Sequence, residues 1–220
     1  MRRTRVVAAI LSLWPLAAAA QPRPSAEELA RALQQRYEKI RDFSADFVHS
    51  YQGGALRMRA TERGTVAVKK PGKMRWTYTA PEKKTFVSDG VRLYSYIPED
   101  RQVIVSKVPS SDEATTALMF LAGRGNVARD FTASYADRAP AGVWLLKLVP
   151  KRAERDYDTL VLGLDPATLQ IRTLTTRDRQ GGESSFTFAN MKENRGISDK
   201  EFAFRIPRGV DVITDGSVSR

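Results

Sequence analysis

Cysteine is absent from all 220 residues, and histidine occurs once, at His49. The first absence excludes disulfides and thiolate metal sites, and it leaves the chain no thiol for an acyl anchor of its own. The second leaves little for proton transfer: beside Ser50 and Tyr51, which make no triad with it, His49 reads as a surface or satisfied residue. Metal-ligand spacing is missing. No glycine-rich phosphate loop follows a strand, because Gly123-Arg124-Gly125 closes an apolar run of helical character. The carboxylates Glu99, Asp100, Asp156 and Asp158 lie near turns, where closeness in sequence fixes no distance between them. These residues assemble no catalytic constellation, so neither enzyme activity nor a cofactor or metal is expected.

Long apolar runs are also scarce. Arg2, Arg3 and Arg5 open the chain, Val6 to Leu16 is mostly apolar, and Ala18-Ala19-Ala20 precedes Gln21. That order of basic, apolar and small residues is a secretory signal peptide over residues 1–20, too short to span a bilayer as a helix. Residues 21–220 are then one exported domain, without disulfides in an oxidising compartment, so the fold must rest on its core. Setting the three leader arginines aside leaves 33 basic against 25 acidic residues, a balance of about +8. Export weighs against a genomic nucleic-acid role; an anionic membrane surface or an acidic partner fits the sign of the charge.

What is present is strand grammar. Ser25-Ala26-Glu27-Glu28 is a capping box, and Leu29, Leu33, Tyr37 and Ile40 behind it recur at helical spacing. From Phe43 the period changes to two. Phe43, Ala45 and Phe47 alternate with Ser44, Asp46 and Val48, Gly53-Gly54 marks a hairpin, and Pro71-Gly72 ends the next strand. "KMRWTYTA" at 73–80 runs up to Pro81, and Asp89-Gly90 divides the two strands of "TFVSDGVRLYSYI". "RQVIVSKV", "VWLLKLVP", "YDTLVLGL", "LQIRTLTTR", "ESSFTFANM" and a closing "EFAFRIPRGVDVI" continue the series. Ten or eleven short strands at close spacing predict a mainly β fold, one antiparallel sheet curled into a barrel or part of one.

One segment departs from this pattern. Ser110 to Glu113 is a second capping box, and "ATTALMFLAG" behind it is apolar nearly all round until Gly123. A helix of that kind must be buried on most sides, and the open mouth or concave face of the curled sheet is its natural seat. Beneath it, Met74, Trp76, Tyr78, Phe86, Leu93, Phe186 and Phe188 lie on strands, with Leu118, Met119, Phe120 and Leu121 on the helix. Apolar stripes at strand spacing ordinarily form a core. A curled sheet of this many strands also encloses more room than its own side chains fill, and methionine with flat aromatics suits a ligand whose chains are not fixed in shape.

With those residues assembled, "KKPGKMRWTYTAPEKKTFVSDGVRLYSYIPEDRQV" resembles the outer-membrane lipoprotein carrier protein family, LolA. The likeness rests on Lys70-Pro71, Arg75-Trp76, Pro81, Val87-Ser88-Asp89-Gly90, Tyr94, Tyr96, Pro98 and Gln102 in this order, then on "TALMFLAG", Leu148-Val149-Pro150 and "FAFRIPRGVDVI". The resemblance implies an unclosed antiparallel half-barrel with an N-terminal helix and a helical lid. Its apolar cavity would take the acyl chains of lipoproteins released by an inner-membrane ABC transporter, for delivery across the periplasm to an outer-membrane acceptor. It implies a monomeric chaperone making transient contact with membrane-bound partners. Met74, Trp76, Tyr78, Phe86, Leu93, Phe186 and Phe188 would line the acyl cavity, with Met74 near its rim. Leu118, Met119, Phe120 and Leu121 would belong to the lid. Family members carry an arginine that bonds lid backbone where this chain has Lys70, so Lys70 is the expected latch, with a compact charge in place of a planar fork.

Two other readings remain open at the level of sequence. The same half-barrel suits a periplasmic sensor that binds lipid or lipoprotein and regulates a partner, since fold does not decide between them. A structural adaptor on the cell envelope, using its basic surface alone, would need no cavity.

Overall fold

The computed structural model describes residues 23–53, 59–108, 121, 123, 125–154, 157–214 and 217–219. The proposed leader, the second capping box and Leu118, Met119 and Phe120 lie outside the described residues. Helix α1 (Ala26–Glu38) opens the fold, capped by the expected box: the Glu28 amide donates to Ser25 Oγ at 3.2 Å and the Ser25 amide to Glu28 Oε2 at 2.8 Å. Two of its orphan amides are satisfied this way. Its buried stripe is Ala26, Leu29, Ala30, Leu33 and Tyr37.

Strands β1 (Asp42–Gln52), β2 (Arg59–Lys69), β3 (Lys73–Ala80), β4 (Lys84–Asp89), β5 (Arg92–Ile97) and β6 (Gln102–Lys107) form an antiparallel meander. After the short helix α2 (Val127–Asp130), a second meander runs through β7 (Phe131–Tyr135), β8 (Trp144–Pro150), β9 (Thr159–Leu164), β10 (Ile171–Arg177) and β11 (Glu183–Glu193). The two halves meet where β1 pairs with β11. Strands β12 (Asp211–Thr214) and β13 (Ser217–Ser219) extend the far edge, giving the order β13-β12-β6-β5-β4-β3-β2-β1-β11-β10-β9-β8-β7. Among the described residues the sheet is open: β7 and β13 end it without meeting.

The thirteen strands among the described residues exceed the ten or eleven read from sequence, β7 being one that was missed. A second correction concerns orientation, because β12 runs parallel to β6. A third concerns "EFAFRIPRGVDVI", which is not one strand. Asp199–Phe202 is a 3₁₀ turn, 203–210 is irregular, and pairing resumes at Asp211. The reason is a crossover: the chain must travel from β11 over the β1–β5 strands to reach β6, and a strap lying across a sheet cannot share its ladder.

Register puts alternate residues on two faces. One row on the inner face runs Leu146, Leu162, Leu174, Phe186, His49 and Glu62 across β8, β9, β10, β11, β1 and β2. Beyond the intervening row of Phe47, Gly64 and Tyr78, a further row on the β1–β4 side is Ala45, Val66, Trp76 and Phe86. These rows and the α1 stripe form a single core. A smaller cluster occupies the opposite face, where the strap buries Phe202 above Val87, Val103 and Val105, and Phe204 lies 5.2 Å from Tyr94 and 6.0 Å from Tyr96. Arg75 holds the strap by donating to the carbonyls of Glu201 at 2.5 Å and Ala203 at 2.9 Å. Asp42 fixes its start, its carboxylate accepting the amides of Arg195 at 2.7 Å and Gly196 at 3.1 Å.

At Gly64 the β2 backbone leaves no room for a side chain between its two neighbouring strands. A Cβ there would lie 2.1 Å from the Thr77 carbonyl oxygen and 2.8 Å from the Phe47 ring. Backbone on the neighbouring strand cannot step aside. Gly64→Ala is therefore expected to cost about 3 kcal/mol or more, read as a lowered urea midpoint at unchanged slope.

Candidate functional site

The inner face of β1, β3 and β11 carries an aromatic cluster. Phe47 is its hub, with ring centroids 5.1 Å from Trp76, 4.9 Å from Tyr78 and 5.8 Å from Phe186, all edge to face. Phe186 reaches Trp76 at 5.2 Å, Phe188 lies 6.3 Å from Trp76, and Phe86 lies 5.7 Å from Tyr78. Edge-to-face pairs each contribute about 0.5–1.5 kcal/mol beyond the area they bury. Of the seven residues expected to line one cavity, the structure gathers all on this face. Met74, Trp76, Tyr78, Phe186 and Phe188 are buried, while Phe86 and Leu93 pack half-buried against them. Met74 is 5% exposed and closed over, not at an open edge.

Trp76 is the most enclosed member, 1% exposed. Its Nε1 is, among the described residues, the one buried side-chain nitrogen or oxygen without a hydrogen-bond partner. Leaving such a donor unsatisfied costs about 1–3 kcal/mol.

At one end of the cluster, α1, β2 and Leu121 converge. Lys70 follows β2 and donates from Nζ to the Tyr37 carbonyl at the end of α1, with the ammonium 3.3 Å from the centroid of the Tyr37 ring. The Tyr37 hydroxyl donates to the Leu121 carbonyl at 2.6 Å, and Leu121 is buried, 1% exposed. A Cβ on Gly123 would stand 2.8 Å from Lys70 Cδ, so the lysine stem lies directly beneath that residue. Burial lowers the Lys70 pKa to about 8, against the opposing pull of Glu38 and Glu193. Burial likewise pushes the Tyr37 hydroxyl well above its ordinary value, so it stays a donor. The Lys70 ammonium thus bonds the end of α1, and it is Tyr37 that carries the contact on to Leu121. Sequence reasoning assigned Tyr37 to the helix stripe and missed this bridge, which no spacing of residues 37, 70 and 121 could announce.

At the other end lies a polar group that sequence reasoning also missed. Glu62 receives His49 Nδ1 at 3.0 Å and pairs with Lys84, while His49 Nε2 meets Ser184 Oγ at 2.9 Å. The imidazole stacks on Phe186, 4.1 Å between centroids and 2° from coplanar. All four polar residues point to the inner face, since His49 pairs with Glu62 and with Phe186, and Lys84 with Tyr78. His49 is therefore a satisfied histidine. Among the described residues no group of three His, Asp or Glu side chains is arranged to hold a metal.

A groove of about 730 Å³ lies on the opposite face, beside the strap, bounded by Asp46, Thr65, Arg75, Thr77, Asn190 and Glu201. Its lining mixes these polar and charged groups with Ala45, Val66, Ala67 and Met191, in contrast to the apolar inner face.

An open sheet with one helix-covered, aromatic inner face defines a half-barrel protein. The chain belongs to the outer membrane lipoprotein carrier protein LolA family, whose model matches residues 38–205. An outer-membrane lipoprotein carrier protein from Chromohalobacter salexigens is 32% identical over 213 residues, 96% of this chain and 95% of that protein. One from Nitrosomonas europaea is 27% identical, over 88% of this chain and 93% of that protein. Among solved structures, an uncharacterized conserved protein from Thermus thermophilus shares the fold with a TM-score of 0.53 at 15% identity, covering 84% of this chain and 98% of that one. Among the described residues no helix is long and apolar enough to cross a membrane.

Burial lowers the His49 pKa from 6.5, and the bond to Glu62 offsets this only in part. The folded state therefore prefers neutral imidazole, and the unfolded state takes up the proton first as pH falls. The contribution of His49 to stability is complete above about pH 6.5 and declines below it, by at most about 1.4 kcal/mol per pH unit. Urea denaturation at about pH 7.5 and about pH 5.5 should show this decline, and His49→Gln should flatten it.

Proposed function

We propose that this protein is a periplasmic carrier that shields the acyl chains of lipoproteins between the inner and the outer membrane. The single observation that carries the reading is the aromatic inner face, built from Phe47, Trp76, Tyr78, Phe186 and Phe188, within a chain of the LolA family. The need is physical. At about 0.8 kcal/mol per methylene, one 16-carbon chain costs on the order of 12 kcal/mol to leave in water. Met74, Phe86 and Leu93 extend the acyl surface, and the segment holding Leu118, Met119, Phe120 and Leu121 acts as its lid. The donor is an inner-membrane transporter and the recipient an outer-membrane acceptor; energy input lies with the transporter, and this chain needs no nucleotide and performs no catalysis. It works as a monomer.

In the closed state the aromatics contact one another, so cargo must separate them and lift whatever Leu121 anchors. Opening then subtracts from the affinity for cargo, and this subtraction favours release to an acceptor with a stronger hold. Lys70 and Tyr37 set its size.

Mass spectrometry of material co-purifying with the protein from a periplasmic extract tests the carrier role. Acylated lipoprotein is the expected companion; free phospholipid alone would point to a lipid sensor, and an empty protein to an adaptor. For the latch, Lys70→Leu removes a charged hydrogen bond worth about 1.5–3 kcal/mol. It should tighten binding of a lipid probe roughly tenfold or more and slow its release, with Lys70→Arg close to the parent. Unchanged binding in the leucine variant would reject the latch.

A further inference from the structure

The carrier reading assigns Trp76 as greasy surface, yet its indole carries a donor that hydrocarbon cannot use. We propose that the Trp76 N–H is the polar anchor of the acyl site and takes the carbonyl oxygen of an ester- or amide-linked acyl chain. The inference rests on the carrier reading and narrows its ligand from any long hydrocarbon to one that carries a carbonyl at its head.

The indole stands at the middle of β3, paired with Val66 on one side and Phe86 on the other. Phe47 and Phe186 meet it edge to face and Phe188 at a tilt. None of these side chains has a lone pair to offer, and contact with a ring face repays an N–H weakly. Phenylalanine at this position would fill the same kind of core without a buried polar group. The closed protein instead keeps Nε1 without a partner, in a site 1% exposed. Native interiors rarely leave a donor in that condition, and a ligand that supplies the missing acceptor accounts for it.

An acyl chain attached through an ester or amide has an acceptor of the right kind, and only one per chain. The bond forms when the aromatic cluster parts for cargo, in a dry setting where neither partner is lost to water. It fixes how deep a chain enters, because the carbonyl stops at the middle of β3 while the methylenes lie along the rings. Discrimination follows from the same geometry: a site built to bond a polar group disfavours the analogue that lacks it.

The test compares dipalmitoyl phosphatidylglycerol with its dihexadecyl ether analogue, which replaces each carbonyl by a methylene and keeps the head group. Both are delivered from cyclodextrin to the protein, and dissociation constants are measured. The ester lipid should bind roughly two- to tenfold more tightly, and Trp76→Phe should bring the two constants together. In ¹H–¹⁵N spectra the Trp76 indole proton, assigned by its loss in that variant, should move downfield with the ester lipid and not with the ether. Equal affinity of the parent protein for both lipids overturns the anchor and leaves the carrier reading standing, as does an ester preference that survives Trp76→Phe. Binding of neither lipid also overturns the anchor, because a site that takes an acyl carbonyl must admit the ester lipid; the carrier reading is then decided separately by the co-purification experiment. Should the variant fold poorly, the ester-to-ether ratio of the parent protein decides alone.

Discussion

Tyr37 is the residue on which α1, the end of β2 and Leu121 meet. Its carbonyl accepts from Lys70, its ring takes the same ammonium against its face, and its hydroxyl donates to Leu121. One side chain on one helix therefore ties the end of β2 to the residues before Gly123. An open sheet whose inner face is apolar must be covered, and on the carrier reading proposed above the cover must also come away, which extensive packing alone would not allow. A small number of directional bonds meets both demands, because they break together and re-form in one geometry.

The two faces of the sheet divide the work. On the outer face the strap is fastened at Asp42, Lys69, Arg75 and Tyr94, and a separate core of Phe202, Val87, Val103 and Val105 lies beneath it. Lys69 donates to the Ile197 carbonyl at 2.8 Å and, with Lys73, pairs with Asp199. The inner face is packed with aliphatic side chains on β8–β10 and aromatic ones on β1, β3 and β11, and the Tyr37 bridge and the His49 group are among its directional contacts. The fastened back holds the register, which matters because a shift of one residue would exchange the faces of every strand.

Much of this was legible in the sequence. The Ser25 box, the Asp89-Gly90 hairpin and the period-two runs are local signals, and they fixed α1 and most strands in place. Gly90 adopts φ +100°, as a tight turn requires. What was not legible depends on contacts across the sheet. Ser184 follows His49 by 135 residues, and only the β1–β11 register brings them together. The strap was read as a strand because "FAFRI" alternates well; its alternation serves to press Phe202 and Phe204 onto the outer face instead of pairing with a neighbour. Met74, Trp76, Tyr78, Phe186 and Phe188 were legible as a set, since alternation on β3 and β11 sorts them to one side, while Phe86 and Leu93 join that face through the register of β4 and β5. The unpartnered indole of Trp76 was not, because a hydrogen bond that is missing leaves no mark in a sequence.

The seam between β1 and β11 has a kinetic consequence. Each meander is assembled from neighbours in the chain, whereas the join between them links the first strand to the eleventh, and the strap then closes back to Asp42. Contacts so distant along the chain are made late, after the cost of closing a long loop has been met. A polypeptide delivered N-terminus first must therefore hold β1 as an unpaired edge until nearly all the remainder has emerged. During that interval Phe43, Phe47 and the other aromatic side chains of the inner face are available to any other apolar surface, which makes the unfinished chain itself prone to association.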